Sequence, residues 1–135
     1  MALARAERQA GLRSVKVNWL HSGLVEASLA PASFDLVSAQ YPALPHTEQH
    51  TAENALLRAV APGGILLLVH HPLPAAQEAR AQGVNLRDYV LPGDVAALLD
   101  DSWQVEVDEV RPRHVSAGAG AHHTEDVVLR ARRLP

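Results

Sequence analysis

Two stretches of the chain decide the fold, FDLVSAQY (residues 34–41) and APGGILLLVHH (residues 61–71). The first begins with an apolar run and opens into polar residues, which predicts a buried strand over residues 34–39 leading into a loop. The intervening residues 47–61 have apolar side chains at helical spacing, which form one stripe. Pro-Gly-Gly ends that helix pattern. Residues 65–69 lack polar alternation and predict a central parallel strand with both faces buried.

The segments before and after these stretches extend the alternation of helices and strands. Residues 2–10 are strong helix formers, and residues 15–20 alternate apolar with polar side chains, which predicts a strand. Residues 77–82 predict a short helix. A second short helix is indicated by the apolar side chains of residues 95–99.

Two closing strands are predicted, over residues 103–107 and 127–131. No helical pattern joins them, so we expect them to be antiparallel. Strands that alternate with helices before this point imply right-handed βαβ units and an α/β fold.

Length and composition narrow the class of protein. With 135 residues, the chain is expected to form a single domain. The net charge of −3 argues against nucleic acid as the main partner, and the absence of cysteine excludes disulfides and thiolate chemistry. No apolar run approaches the roughly 20 residues needed to span a membrane. We therefore expect a cytoplasmic protein with no membrane partner.

The order of elements resembles a class I S-adenosylmethionine-dependent methyltransferase, from its second helix to its end. The resemblance rests on the strand–helix–Pro-Gly-Gly–strand run over residues 34–71 and on the endings WQVEV (residues 103–107) and DVVLRAR (residues 126–132). It covers nearly the whole chain. It implies a Rossmann-like α/β sheet of about five strands in which the last strand is antiparallel.

Two features of that family have no counterpart in the sequence. The family carries a glycine-rich turn after its first strand and an acidic residue at the end of its second strand. Only a helix pattern precedes residue 15, whereas one βαβ unit requires about 30 residues. The resemblance therefore implies a partial domain over residues 1–135, an N-terminally truncated sheet without strands one and two.

The resemblance also implies which residues bind S-adenosylmethionine. Gly23 occupies the position where the family usually has an aspartate that meets the adenine amine, and Leu24 is expected to pack on the adenine face. Ser38, Ala39 and Gln40 follow the strand that begins at residue 34 and are expected to line the methionine end of the cofactor. Gln40 has both donor and acceptor groups for this purpose.

The acceptor side of the site is assigned to Tyr41, His70 and His71 as candidate catalytic residues. In the topology that the family has, the start of the last strand lies at the same sheet edge, which brings His114 and the pair His122-His123 to that edge as well. Imidazole is a natural general base near neutral pH and a common metal ligand. Adjacent histidines on a strand point to opposite faces, so at most one of each pair is expected to converge. No carboxylate or cysteine lies at a ligand-like spacing from these pairs, and no metal is predicted.

Three functional hypotheses follow from these observations. The first is a methyltransferase that acts on a small-molecule substrate. The second is a non-catalytic, methyltransferase-derived fragment or interaction module that needs a partner chain. Without strands one and two, the strand at residues 34–39 has an exposed edge, and exposed edges invite pairing, which predicts a homodimer. The third, a flavodoxin-like domain, agrees less well with an antiparallel end of the sheet.

Overall fold

A computed structural model describes residues 2–73, 81–83, 85, 88–118 and 121–135. Seven helices and strands have both ends within these residues: α1 (Ala2–Leu12), β1 (Phe34–Gln40), α2 (Thr51–Ala59), β2 (Val60–His70), α3 (Pro92–Ala96), β3 (Trp103–Pro112) and β4 (Glu125–Arg133). Most of the helix predicted over residues 77–82 lies outside the described residues. None of the described helices has the length and apolar character needed to cross a membrane.

The strands form one sheet in the order β1-β2-β4-β3. β1 and β2 are parallel and joined through α2, whereas β4 is antiparallel to both β2 and β3. The predicted α/β class, the parallel pair and the antiparallel last strand are confirmed. The sheet described has four strands, not the five that the resemblance implied.

The strand predicted over residues 15–20 is wrong. These residues are not assigned to a strand, and Val15 and Leu20 are 54% and 61% exposed. Period-2 alternation predicts which way side chains point, but a strand also requires hydrogen bonds from a neighbouring backbone. Among the described residues β1 pairs with β2 alone, so its other edge is open.

Pro-Gly-Gly forms a bulge inside a strand instead of ending the helix. α2 gives way directly to β2 at residue 60, and the register jumps from Phe34 opposite Val60 to Leu36 opposite Ile65. Gly64 permits the close approach of the two strands, because a Cβ there would lie only 3.0 Å from the Phe34 carbonyl oxygen. The helix predicted over residues 47–61 therefore ends at Ala59, two residues earlier than predicted.

The start of α2 also differs from the prediction. His50 precedes the helix and has φ 52° and ψ 43°, the left-handed conformation. An α-helix does not run through such a residue, so α2 begins at Thr51. The predicted apolar stripe is otherwise confirmed, since Ala52, Leu56 and Ala59 are buried.

The hydrophobic core lies on one face of the sheet. α2 and α3 supply part of it, and alternate residues of β2 and β4 supply the rest, because alternate strand residues share a face. The buried members are Ala52, Leu56, Val60, Leu66, Leu68, Val90, Val95 and Leu129. Ile65, Leu67 and Val69 alternate with this set and are half-buried.

Candidate functional site

The topology brings the ends of three strands to one edge of the sheet. Because β1 and β2 are parallel, Tyr41 and His71 both follow the carboxyl ends of their strands. The backbone N–H of Tyr41 donates to the Val69 carbonyl at 2.8 Å, which holds the two ends together. β4 runs the other way beside β2, with His70 opposite Val127, so Asp126 near its start reaches the same edge.

A cavity of about 420 Å³ opens at this edge. All three candidate catalytic residues, Tyr41, His70 and His71, line it. The remaining lining residues are Pro42, Ala43, Pro72, Leu73, Gln82, Tyr89, Leu91 and His123. The lining combines apolar and ring side chains with a few polar atoms, as is typical of small-molecule sites.

Four rings form a continuous series beside the cavity. The ring of His71 lies between those of Tyr41 and His123, with centroid distances of 4.3 Å and 3.7 Å and interplanar angles of 22° and 17°. The His122 ring contacts His123 at 4.0 Å. Both members of the His70-His71 pair line the cavity, so the expectation that only one would converge is wrong. β2 ends at His70, and the alternation of a strand does not extend to His71.

The Asp126 carboxylate lies next to the side chains of Tyr41, His71 and Arg113. The Tyr41 hydroxyl donates to its carboxylate, 3.0 Å from each oxygen. His71 Nδ1 and Arg113 Nε each lie 3.7 Å from a carboxylate oxygen, and the Arg113 guanidinium lies 5.3 Å from the centre of the Tyr41 ring. Neither Asp126 nor Arg113 was among the residues that the sequence singled out.

The surroundings of the Tyr41 hydroxyl and the His71 imidazole favour the neutral form of each. Burial raises the pKa of Tyr41, and its hydrogen bond to Asp126 adds to that increase. Burial lowers the pKa of His71, and the neighbouring His123 and Arg113 lower it further. Burial and His122 lower the pKa of His123. At neutral pH the site therefore presents a phenol and a neutral imidazole.

The residues assigned to the cofactor do not share one cavity. Ser38 and Gln40 lie on the exposed face of β1, where Gln40 Nε2 donates to Ser38 Oγ at 2.9 Å. Ala39 points the other way and packs against the core. Leu24 contacts the core and lines a separate cavity of about 540 Å³ beside α2. Gly23 lies against the Glu26 carboxylate, which leaves no space for a Cβ at this position.

Asp126→Asn is expected to lower the free energy of unfolding by about 0.5–1.5 kcal/mol, the net range for a typical hydrogen bond. The charge of Asp126 adds little to this loss, because the Tyr41 hydroxyl that donates to it is exposed to solvent. The negative charge of Asp126 raises the pKa of His71 and so partly offsets the lowering by burial, His123 and Arg113. The substitution should therefore lower that pKa further, which an NMR titration of the ring protons measures. Asp108→Asn on exposed β3 is the control, and an unchanged His71 pKa in D126N would contradict the assigned contacts.

Comparisons with known proteins agree with this topology at the level of fold. No family model matches the sequence, and no curated protein is significantly similar to it. A structure solved in work on the conversion of a disulfide bond into a thioacetal group during echinomycin biosynthesis aligns with a TM-score of 0.62 and 15% identity. The alignment covers 96% of this chain and 61% of that chain.

The chain thus shares the fold of that structure. A 16S rRNA (adenine(1408)-N(1))-methyltransferase variant from Catenulisporales acidiphilia, solved with its cosubstrate SAM, is also similar, with a TM-score of 0.46 and 17% identity over 84% of this chain and 60% of that chain. The chain thus spans less than two thirds of the length of either structure.

Proposed function

We propose that this methyltransferase-like domain transfers a methyl group from S-adenosylmethionine to a small-molecule acceptor bound in the cavity beside Tyr41 and His71. The observation that carries the proposal is that Tyr41 and His71 line one cavity at the carboxyl ends of two parallel strands, with Asp126 in contact with both behind them. In open α/β sheets ligands bind at this edge. The cavity, about 420 Å³, has the size of small-molecule sites.

The side chains favour an acceptor with an apolar or aromatic body and one ionisable O–H, N–H or S–H group. Leu73, Tyr89 and Leu91 supply apolar walls for such a body. His71 Nδ1 makes no hydrogen bond among the described residues, but the charge of the Asp126 carboxylate, 3.7 Å away, favours a proton on that nitrogen. His71 Nε2 is then left to accept the proton that the acceptor loses. Asp126 also fixes the Tyr41 hydroxyl, which orients the phenol ring beside His71.

Ser38 and Gln40 fit the amino-acid end of the cofactor. Their mutual hydrogen bond leaves the Gln40 carbonyl oxygen and the Ser38 hydroxyl proton available at the exposed carboxyl end of β1. These groups match the charged amine and carboxylate of that part of S-adenosylmethionine. When bound, the cofactor supplies an electrophilic methyl group. The chain's own residues position the acceptor and take up its proton.

A methyl-transfer assay tests the proposal. The purified chain is incubated with methyl-labelled S-adenosylmethionine and a panel of small phenols, thiols and amines, with RNA as a comparison acceptor. Label in a small-molecule acceptor would support the proposal. Label in RNA alone would contradict the acceptor class. A folded chain that labels none of them would favour the non-catalytic module.

We also expect the chain to self-associate through the open edge of β1, as a homodimer. Phe34 and Leu36 on that strand are 40% and 57% exposed, and an unpaired edge with apolar neighbours recruits another strand. Sedimentation velocity over a range of concentrations should detect the dimer. Leu36→Lys should shift the equilibrium toward monomer by placing a charge at the edge, whereas Val15→Lys, at an exposed position outside the sheet, should not. A wild-type monomer at high concentration would refute the expectation.

A further inference from the structure

Three side chains unrelated to the cavity converge at the start of α2. His46 lies in the preceding loop, His50 immediately precedes the helix and Glu53 is in its first turn. The Nδ1 atoms of His46 and His50 lie 3.3 Å and 3.2 Å from Glu53 Oε1. One ligand atom from each of the three residues falls within 4.8 Å of the other two.

The burial of Glu53 needs an electrostatic explanation. Its side chain is 0% exposed, whereas those of His46 and His50 are 32% and 41% exposed. Among the described residues, Glu53 Oε2 and His46 Nδ1 are buried without a hydrogen-bond partner. A buried carboxylate is destabilised unless a cation, a proton or hydrogen bonds compensate it. Glu53 Oε1 shares a hydrogen bond with His50 Nδ1 and lies near His46 Nδ1, whereas Oε2 has no such compensation among the described residues.

His50 Nδ1 and Glu53 Oε1 share a hydrogen bond of 3.2 Å, and the distances from Glu53 Oε1 to both histidine nitrogens also fit ligands around one metal ion. Ligands at the zinc distances of about 2.0–2.2 Å in a tetrahedral site are roughly 3.3 Å apart. Glu53 Oε1 is 3.3 Å from one histidine nitrogen and 3.2 Å from the other. Two imidazoles and one carboxylate form a common ligand set for zinc and neighbouring transition metals, and three protein ligands leave one position open.

We propose that His46, His50 and Glu53 bind a divalent transition-metal ion of the zinc class, with the fourth position open to solvent. The open position follows from the partial exposure of both histidines. Glu53 supplies the buried negative charge that the ion neutralises.

The backbone holds the three ligands in place. The N–H of His46 donates to the Asp88 carbonyl at 2.8 Å, and Pro45 pairs with Tyr89 in an isolated bridge. The left-handed conformation of His50 sets its ring beside the first turn of α2. A bound ion would therefore link α2 to the loop that begins at Tyr41. Since the first residues of that loop line the cavity, the ion would also restrict the motion of one cavity wall. This role does not depend on methyl transfer.

Metal titration of the untagged chain tests the proposal. After treatment with EDTA and its removal by dialysis, Zn²⁺ is added in a calorimeter, and Co²⁺ is followed by visible absorption as a probe of coordination. We expect one ion per chain, a four-coordinate Co²⁺ spectrum and a rise in the melting temperature with Zn²⁺.

Substitutions distinguish Zn²⁺ binding at this site from Zn²⁺ binding by other histidines. His50→Asn keeps a residue type that tolerates the left-handed conformation and removes the imidazole. It should weaken Zn²⁺ binding by at least the roughly 10–100-fold that loss of a supporting group costs. Glu53→Gln and His46→Asn should do the same, whereas the exposed His21→Asn should not.

Two results would overturn the proposal. The first is a folded wild-type chain that binds no Zn²⁺, which would leave the contacts of Glu53 with His46 and His50 as structural contacts only. The second is Zn²⁺ binding that H50N leaves unchanged and that His122→Ala abolishes, which would assign the ion to the rings beside the cavity.

Discussion

His71→Phe is expected to lower the rate of methyl transfer by about 10²–10⁴-fold, the usual contribution of a positioned general base. Phenylalanine keeps a ring between Tyr41 and His123, where the centroid distances are 4.3 Å and 3.7 Å. It removes both nitrogens, and with them the proton acceptor. The rate is measured with the acceptor that the labelling assay identifies. His21→Phe, an exposed histidine outside the site, is the matched control.

The pH dependence of the same reaction gives a second test of His71. Its pKa is lowered by burial and by the neighbouring His123 and Arg113. The neutral, proton-accepting form therefore persists below the ordinary histidine pKa of about 6.5. We expect the rate to be constant from neutral pH down to that value and to fall only at lower pH. A rate in H71F that equals the wild-type rate, or an acid limb at a pH above that value, would exclude this role.

Leu66→Ala is expected to lower the free energy of unfolding by about 2–5 kcal/mol, the range for truncating a fully buried leucine. Leu66 is 0% exposed and lies in the core beneath α2 and α3. Because total stability is roughly 5–15 kcal/mol, the loss is a large fraction of it. Urea unfolding followed by circular dichroism measures the change.

Leu67→Ala is the matched control for this prediction. Leu67 is the next residue of the same strand, has the same side chain and is half-buried on the opposite face. Its truncation should cost less than half as much. Equal losses for the two variants would contradict a core confined to one face of the sheet.

The parts of the fold that local pattern determines were predictable. The apolar run at residues 65–69 and the helical stripe of α2 indicate burial through side-chain spacing alone. The alternation at residues 15–20 resembles a strand equally well, but it carries no information about whether a neighbouring backbone is present to pair with it. The left-handed His50 and the bulge before Ile65 arise from backbone geometry that apolar periodicity does not register.

Sequence reasoning reached only the local part of the candidate site. Tyr41, His70 and His71 were predicted from the resemblance and from their places at the ends of two predicted parallel strands. Asp126 is 85 residues from Tyr41 in sequence, and only the register of β4 against β2 brings them together. The only feature of the sequence that could have indicated Asp126 was its position just before the predicted last strand, which was expected to begin at the same edge of the sheet.

The cluster proposed to bind metal was not predictable from spacing. His46, His50 and Glu53 stand at i, i+4 and i+7, but His122 and Asp126 are separated by the first of these offsets and His71 and Glu78 by the second. Only Glu53 lies within α2, so the convergence depends on the left-handed His50 and on the loop before it. The burial of Glu53 depends on tertiary packing and is visible only in the structure.

The most direct test of the central claim is calorimetric titration of the purified chain with S-adenosylhomocysteine, with folding verified by circular dichroism in the same buffer. We predict saturable binding in the micromolar range with one ligand per chain. A folded chain that neither releases nor absorbs heat, and that retains no ligand in equilibrium dialysis, would contradict it and limit the methyltransferase likeness to the fold.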